Sequence, residues 1–288
     1  MPAAPTVRRR RLGAELRRLR ERMGLTAEEI ATRLDWSPSK LSRIENARIG
    51  VRVSDVRLLL ELYEVDERHV GELLALAHAA TQQGWWAAYE KDLMPGFARF
   101  VALEDEADSS SNYVTYTVPG LLQSEEYAHY VLDSSRSAFP AISPQKVNRR
   151  LEVRMRRQQS LFRDPPLRFS AVIDESVLMR SVGDRETMRR QLVRLAELAD
   201  LPNVDLHVLP LRNPRTPVFG DDFTLLRFSP AYEVMFPEVL YIDNLSEHSE
   251  HQDEELTYFY RLAWDSLRSS ALSHAESTDR VIRAAEEI

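Results

Sequence analysis

Ser39, Lys40 and Arg43 stand at the opening of a short helical segment that begins at Pro38, and they are the side chains there that can reach the edge of a base pair. In a major groove a guanidinium can bind guanine O6 and N7 together, whereas a serine hydroxyl discriminates little. Arg43 lies one turn into the segment, on the face opposite Leu41 and Ile44, and is expected to make the bidentate contact. A second set suits phosphate. Thr26 opens the preceding helix, where exposed amides and the positive end of the helix dipole favour an anion, and Arg48 and Arg52 follow the segment directly.

These residues need a frame, and the flanking pattern supplies one. Thr26 followed by Glu29 is a capping box, so a helix is expected from about Ala27 to Leu34. Ser37 is an N-cap with Pro38 at the first helical position, opening a helix that ends near Asn46. Ile30, Leu34, Trp36, Leu41 and Ile44 fall at the apolar offsets of a helix-turn-helix, Ala31 is small where the two helices must approach, and Asp35 occupies a turn position where it can adopt the left-handed conformation. Leu12, Leu16 and Leu19 mark a helix ahead of this pair. Val56, Leu59, Leu60 and Tyr63, then Val70, Leu73, Leu74 and Ala77 behind the cap Asp66, mark two more after it. Arg20 and Glu45 are expected to form an ion pair bracing the first helix against the end of the third.

The charge of the whole chain argues the other way until it is divided. The 288 residues carry a net −7, but residues 1–52 hold 13 Lys+Arg against 6 Asp+Glu, a local +7, and the remainder holds 25 against 39. A basic head of this kind suits a polyanion. An apolar fraction of 43% with 29% charged residues excludes a disordered or fibrous chain. There is no cysteine, hence no disulfide or thiolate site, and neither a signal-type apolar region nor a run of roughly 20 apolar residues occurs, so a cytoplasmic protein is expected.

Beyond residue 80 the pattern changes from helical faces to alternating β-branched and aromatic runs. Strands are expected at 113–118, 167–173, 204–209, 223–228 and 239–242, and helices at 124–132, 144–162, 186–199 and 253–272. Without a regular strand-helix alternation this reads as α+β. The expected fold class is an all-α five-helix helix-turn-helix domain over 9–80 followed by an α+β domain over 85–272, with a linker at 81–84 and a helical tail over 273–288.

Other clusters carry weaker chemistry. Glu247, His248, Glu250 and His251 resemble a divalent-metal set but read as an acidic loop, so no metal is expected. Asp174 and Glu175 are adjacent on a strand and point to opposite faces, which argues against an acid-base pair and against any catalytic residue. Lys146, Arg149, Arg150, Arg154, Arg156, Arg157 and Arg163 make one strongly basic helix, either a solvated face or a surface for extra phosphate contacts or, through Arg150, Arg154 and Arg157, for an acidic partner. Trp85 and Trp86, with Tyr89, are expected to pack rather than stack on a ligand. No phosphate-binding glycine loop or HExxH occurs, so no cofactor is expected and an enzyme is disfavoured.

The stretch LTAEEIATRLDWSPSKLSRIENARIGV resembles the Xre-type, phage-repressor-like helix-turn-helix over residues 9–66. It departs at Ala27, where many relatives carry a DNA-contacting Gln, and at Asp35, which replaces the turn glycine. WWAAYEKDLMPGFARFVALEDEA, VPGLLQSEEYA, VIDESVLMRSVG and LPNVDLHVLP resemble the C-terminal domain of WhiJ-like actinobacterial regulators over about 85–270. The resemblance implies a regulator of development or antibiotic-type pathways, sometimes antitoxin-like and often partnered by a small protein.

The expectation is a homodimeric regulator of transcription that binds double-stranded DNA, commonly at a two-fold operator, and receives an unknown effector. The alternative is an antitoxin-like module that binds a small protein and uses DNA for autoregulation. A third is an enzyme fused to a DNA-binding head.

Overall fold

The computed structural model describes residues 6–82, 84–94, 96–138, 142–213, 221–229, 236–243 and 248–288. The chain divides into two compact units, residues 1–87 with 229–236, and residues 88–228 with 237–288.

Among the described residues five helices build the first unit: α1 (Val7–Arg22), α2 (Ala27–Arg33), α3 (Pro38–Glu45), α4 (Val53–Leu62) and α5 (Glu67–Thr81). Their ends follow from side chains that satisfy otherwise unpaired amides. Thr6, Ser37 and Asp66 cap α1, α3 and α5, and Thr26 with Glu29 forms the complete capping box of α2. One apolar cluster fills the centre, with Leu12 and Leu16 of α1, Ile30 of α2, Leu41 and Ile44 of α3, Leu59 and Leu60 of α4 and Leu73 of α5 all buried. Burying each such side chain contributes about 1.5–3 kcal/mol, which offsets the poor intrinsic stability of helices as short as α2 and α3. A 3₁₀ turn, Trp85–Tyr89, follows α5.

The second unit is a mixed sheet with helices on both faces, so the chain is all-α and then α+β. Its elements are α6 (Phe97–Glu106), β1 (Ser109–Val114), α7 (Glu125–Ala138), α8 (Pro144–Arg157), β2 (Arg168–Asp174), α9 (Ser176–Met179), α10 (Arg185–Ala199), β3 (Val204–Leu209), β4 (Asp222–Arg227), β5 (Val239–Asp243), β6 (His248–His251), α11 (Glu254–Ser270) and α12 (His274–Glu287). The strand order is β3-β2-β1-β4-β5-β6. β1, β2 and β3 are parallel, and β4, β5 and β6 join antiparallel. On one face Tyr113, Val172, Leu225 and Leu240 pack against Trp264 and Leu267 of α11. α12 packs on α10 and β3, where its Ser277 hydroxyl accepts the Val208 amide at 2.8 Å and Val281 is buried.

Several elements differ from the sequence expectation, among them α7, which runs to Ala138 rather than 132, and α9, which was not anticipated. β1 lies at 109–114 rather than 113–118, because pairing on both sides holds Ser109-Ser110-Ser111-Asn112 in a strand its composition does not favour. α6 was not anticipated. β6 occupies part of the segment read as an acidic loop, and the helix expected to 162 ends at Arg157, giving way to a 3₁₀ turn at Gln158–Leu161.

Candidate nucleic-acid interface

The turn between α2 and α3 is set by backbone geometry. Asp35 takes a φ of 54°, the left-handed conformation expected of it, and the Trp36 amide returns to the Ala31 carbonyl at 2.7 Å. Ala31 is buried where the helices meet. Any larger side chain there would push α3 outward.

The far end of α3 is fixed by three devices. Ala47 adopts a φ of 55°, and the Arg48 and Ala47 amides bond the Arg43 and Ile44 carbonyls at 2.8 and 2.9 Å, which closes the helix in a Schellman pattern. Arg20 and Glu45 form the expected ion pair, with Nε donating to Oε1 at 2.7 Å and Nη2 to Oε2 at 3.0 Å. Hydrogen bonding to Glu45 raises the Arg20 pKa, overcoming burial. Gly13 of α1 then admits the α3 terminus, since a Cβ there would lie 2.5 Å from the Glu45 carbonyl oxygen and 2.8 Å from that of Ile44. Gly13 and Ala47 escaped sequence reading. Gly13 stands between Arg9-Arg10 and Leu16-Arg17 with no sequence sign of the chain that passes over it, and Ala has no special preference for positive φ.

With α3 held in this way, Ser39 and Arg43 lie on its exposed face. The Ser39 hydroxyl is 3.2 Å from that of Ser37, and Arg43 Nε donates to the Ser39 carbonyl at 3.1 Å, laying the guanidinium along the helix start. Lys40 is placed differently. Its ammonium is 2.9 Å from Asp55 Oδ2 and 3.6 Å from the centre of the Trp36 ring, so it braces α3 against α4. Of the phosphate candidates, Arg48 and Arg52 are exposed beside the end of α3. Thr26 is exposed too, but the Glu29 carboxylate already accepts its amide at 2.7 Å and its hydroxyl at 3.0 Å. That places a negative charge at the α2 N-terminus, where an anion would have to enter.

Three arginines of the basic helix α8 turn into the second unit, whereas Arg156 is exposed. Arg150 donates to the Asp92 carbonyl at 2.8 Å, Arg154 to Gln123 Oε1 at 2.8 Å, and Arg157 to both Glu104 oxygens at 2.7 Å. Arg157 and Glu104 side chains are 9% and 3% exposed. Alternation on one helical face concealed this, because a helix packed by its arginines looks like a solvated one in sequence. Asp174 and Glu175 diverge. The former accepts the Ser176 amide, and the latter accepts Arg280 Nε at 2.7 Å. Glu250 is ion-paired with Arg99, and Glu247 lies outside the described residues. Among the described residues no group of three or more acidic or histidine side chains is arranged to hold a metal ion, and no helix is long and apolar enough to cross a membrane.

Two family models match the chain. Residues 11–73 match a helix-turn-helix domain, and residues 97–283 match a domain of unknown function (DUF5753). No curated protein and no solved structure matches it.

Proposed function

The chain belongs to the family that shares the domain of unknown function DUF5753, and from its helix-turn-helix we propose that it is a sequence-specific DNA-binding regulator of transcription. The observation that carries this reading is the exposed face of α3. Ser39 and Arg43 stand on it, α2 and Gly13 fix its position, and the surrounding segment is basic. Arg43 reads a guanine, Ser39 adds a less selective contact, and Arg48 and Arg52 hold phosphates. Lys40 and Thr26 serve only by exchanging Asp55 and Glu29 for DNA.

The second unit acts as the receiving half and not as an enzyme, a reading supported by the separate structural partners of Asp174 and Glu175. The protein works in the cytoplasm as a homodimer on a two-fold operator, since one helix in one groove seldom gives enough affinity. A developmental or antibiotic-type pathway follows from the resemblance to WhiJ-like regulators alone. The antitoxin-like reading draws on one observation, the exposed Tyr258, Phe259 and Leu262 of α11, an apolar face of the type that binds protein.

Selection from random duplexes with the full chain tests the proposal. Enrichment of a two-fold motif containing a G·C pair in each half-site is expected. Recovery of unenriched sequence at low salt would refute it.

A further inference from the structure

The central strand of the sheet is chemically out of place. β1 has bonded neighbours on both edges, a position that in a sheet covered on both faces is filled by near-continuous Val, Ile and Leu, yet it reads Ser109-Ser110-Ser111-Asn112. Alternation puts Ser110 and Asn112 on the face opposite Tyr113, and the register sets Asn112 beside Thr224 and Thr224 beside Tyr241. Asn112 Nδ2 donates to Thr224 Oγ1 at 2.9 Å. Ser110 is 1% exposed, and its hydroxyl has no hydrogen-bond partner among the described residues. Such a group destabilises a fold unless something else supplies the partner.

The space for that partner exists. Ser110 and Asn112 line a cavity of about 220 Å³ beneath α6 and α8, far more than the roughly 10–15 Å³ that admits one water. Part of its wall is aromatic. Phe100 of α6 and Tyr241 of β5 stack with centroids 4.1 Å apart, and the Arg157 guanidinium lies 5.1 Å from the Phe100 ring centre. The charged groups in the lining, Arg154 and Arg157 against Glu104 and Asp222, balance formally. Arg157 is matched by Glu104, and Asp222 accepts the Thr115 amide at 2.9 Å. With the formal charges of the lining in balance, the cavity favours a ligand that carries no net charge.

We propose that this cavity is the effector site of the protein and takes a small, uncharged, planar molecule with both hydrogen-bond donors and acceptors, of the nucleobase or heteroaromatic amide class. The ring lies against the aromatic wall and its polar edge completes the Ser110 hydroxyl. The word effector rests on reading the second unit as the receiving half; the binding itself does not.

The test uses the full chain without DNA and three probes, adenine, nicotinamide and benzamide, at millimolar concentration in saturation-transfer NMR, with glucose and benzoate as non-planar and anionic controls. At least one planar neutral probe is expected to respond and to raise the melting temperature. Ser110→Leu, which fills the cavity, should abolish the response. Ser110→Ala, which removes only the hydroxyl, should weaken binding several-fold while melting at or above the wild-type temperature, and it decides the matter if Ser110→Leu does not fold. Silence from all three probes, a response to the controls alone, or equal binding by Ser110→Ala overturns the site. Operator affinity measured with and without a bound probe separates the two readings. An unchanged affinity refutes the effector role and leaves the site standing.

Discussion

Arg20 of α1 and Glu45, the last residue of α3, are joined by two hydrogen bonds across 25 positions of the chain, with side chains only 11% and 4% exposed. Arg20 also donates to the Leu25 carbonyl at 2.8 Å, so one guanidinium ties together both ends of the helix-turn-helix. The placement of α3 therefore depends on a residue of α1 that lies outside the helix pair.

Removing one partner leaves a nearly buried charge uncompensated, which typically destabilises by about 3–5 kcal/mol. Glu45→Ala should lose at least about 3 kcal/mol of unfolding free energy in urea, whereas the apolar double replacement Arg20→Met with Glu45→Leu should lose much less. Equal losses would mean that packing, and not charge compensation, dominates this contact.

The Arg157–Glu104 pair makes a parallel case in the second unit. Arg157→Glu places two carboxylates together in a nearly buried site, and the expected result is a loss of about 3 kcal/mol or more in the melting of that unit by calorimetry. Unaltered melting would instead return the α8 arginines to the surface role that their sequence suggested.

The difference between the two pairs shows what the sequence makes legible. Arg20 and Glu45 could be matched in advance because both lie within a short motif whose offsets are fixed by helix packing. Arg157 could not be matched to Glu104, because its partner sits on α6, a helix without a strong start signal that the chain brings over from 53 positions away. The same rule covers the sheet. β3 and β5 announce themselves through Val, Leu and Ile, whereas β1 is a strand only because β2 and β4 pair with it, and its polar face therefore passed unnoticed. The exposure of Ser39 and Arg43 on α3 was legible in the sequence, but the capture of Lys40 by Asp55 and of Thr26 by Glu29 was a matter of rotamers that residue types do not specify.

Glu175 offers a pH test of α12 docking. Burial pushes its pKa up, but the Leu211 amide at 3.0 Å and Arg280 Nε at 2.7 Å outweigh that and hold it below the ordinary value. A depressed folded pKa gives stability that is present above the unfolded value of roughly 4.3 and disappears as pH falls through the folded one. Glu175→Gln should therefore melt below wild type at neutral pH, and the gap should close in acid. A gap that stays constant down to acid pH would show that shape, not charge, makes the contact.

Arg43 and Arg48 provide the sharpest test of the interface, because one residue is assigned to a base and the other to a phosphate. Both are exposed, and they lie on opposite sides of the α3 terminus, which the Arg48 amide closes onto the Arg43 carbonyl at 2.8 Å. A bidentate pair with guanine carries about 1–3 kcal/mol of discrimination, so Arg43→Ala should lose roughly tenfold to a hundredfold on the selected site and much less on random duplex. Arg48→Ala should weaken all sequences about equally and reduce the slope of log affinity against log salt by about one. Neither change disturbs the packing of α3, since neither side chain is buried, and melting temperatures should stay at the wild-type value. Competition binding at several salt concentrations reads both signatures at once. If Arg43→Ala lowers affinity for selected and random duplexes by the same factor, Arg43 is a backbone contact and the recognition surface must lie elsewhere on the first unit.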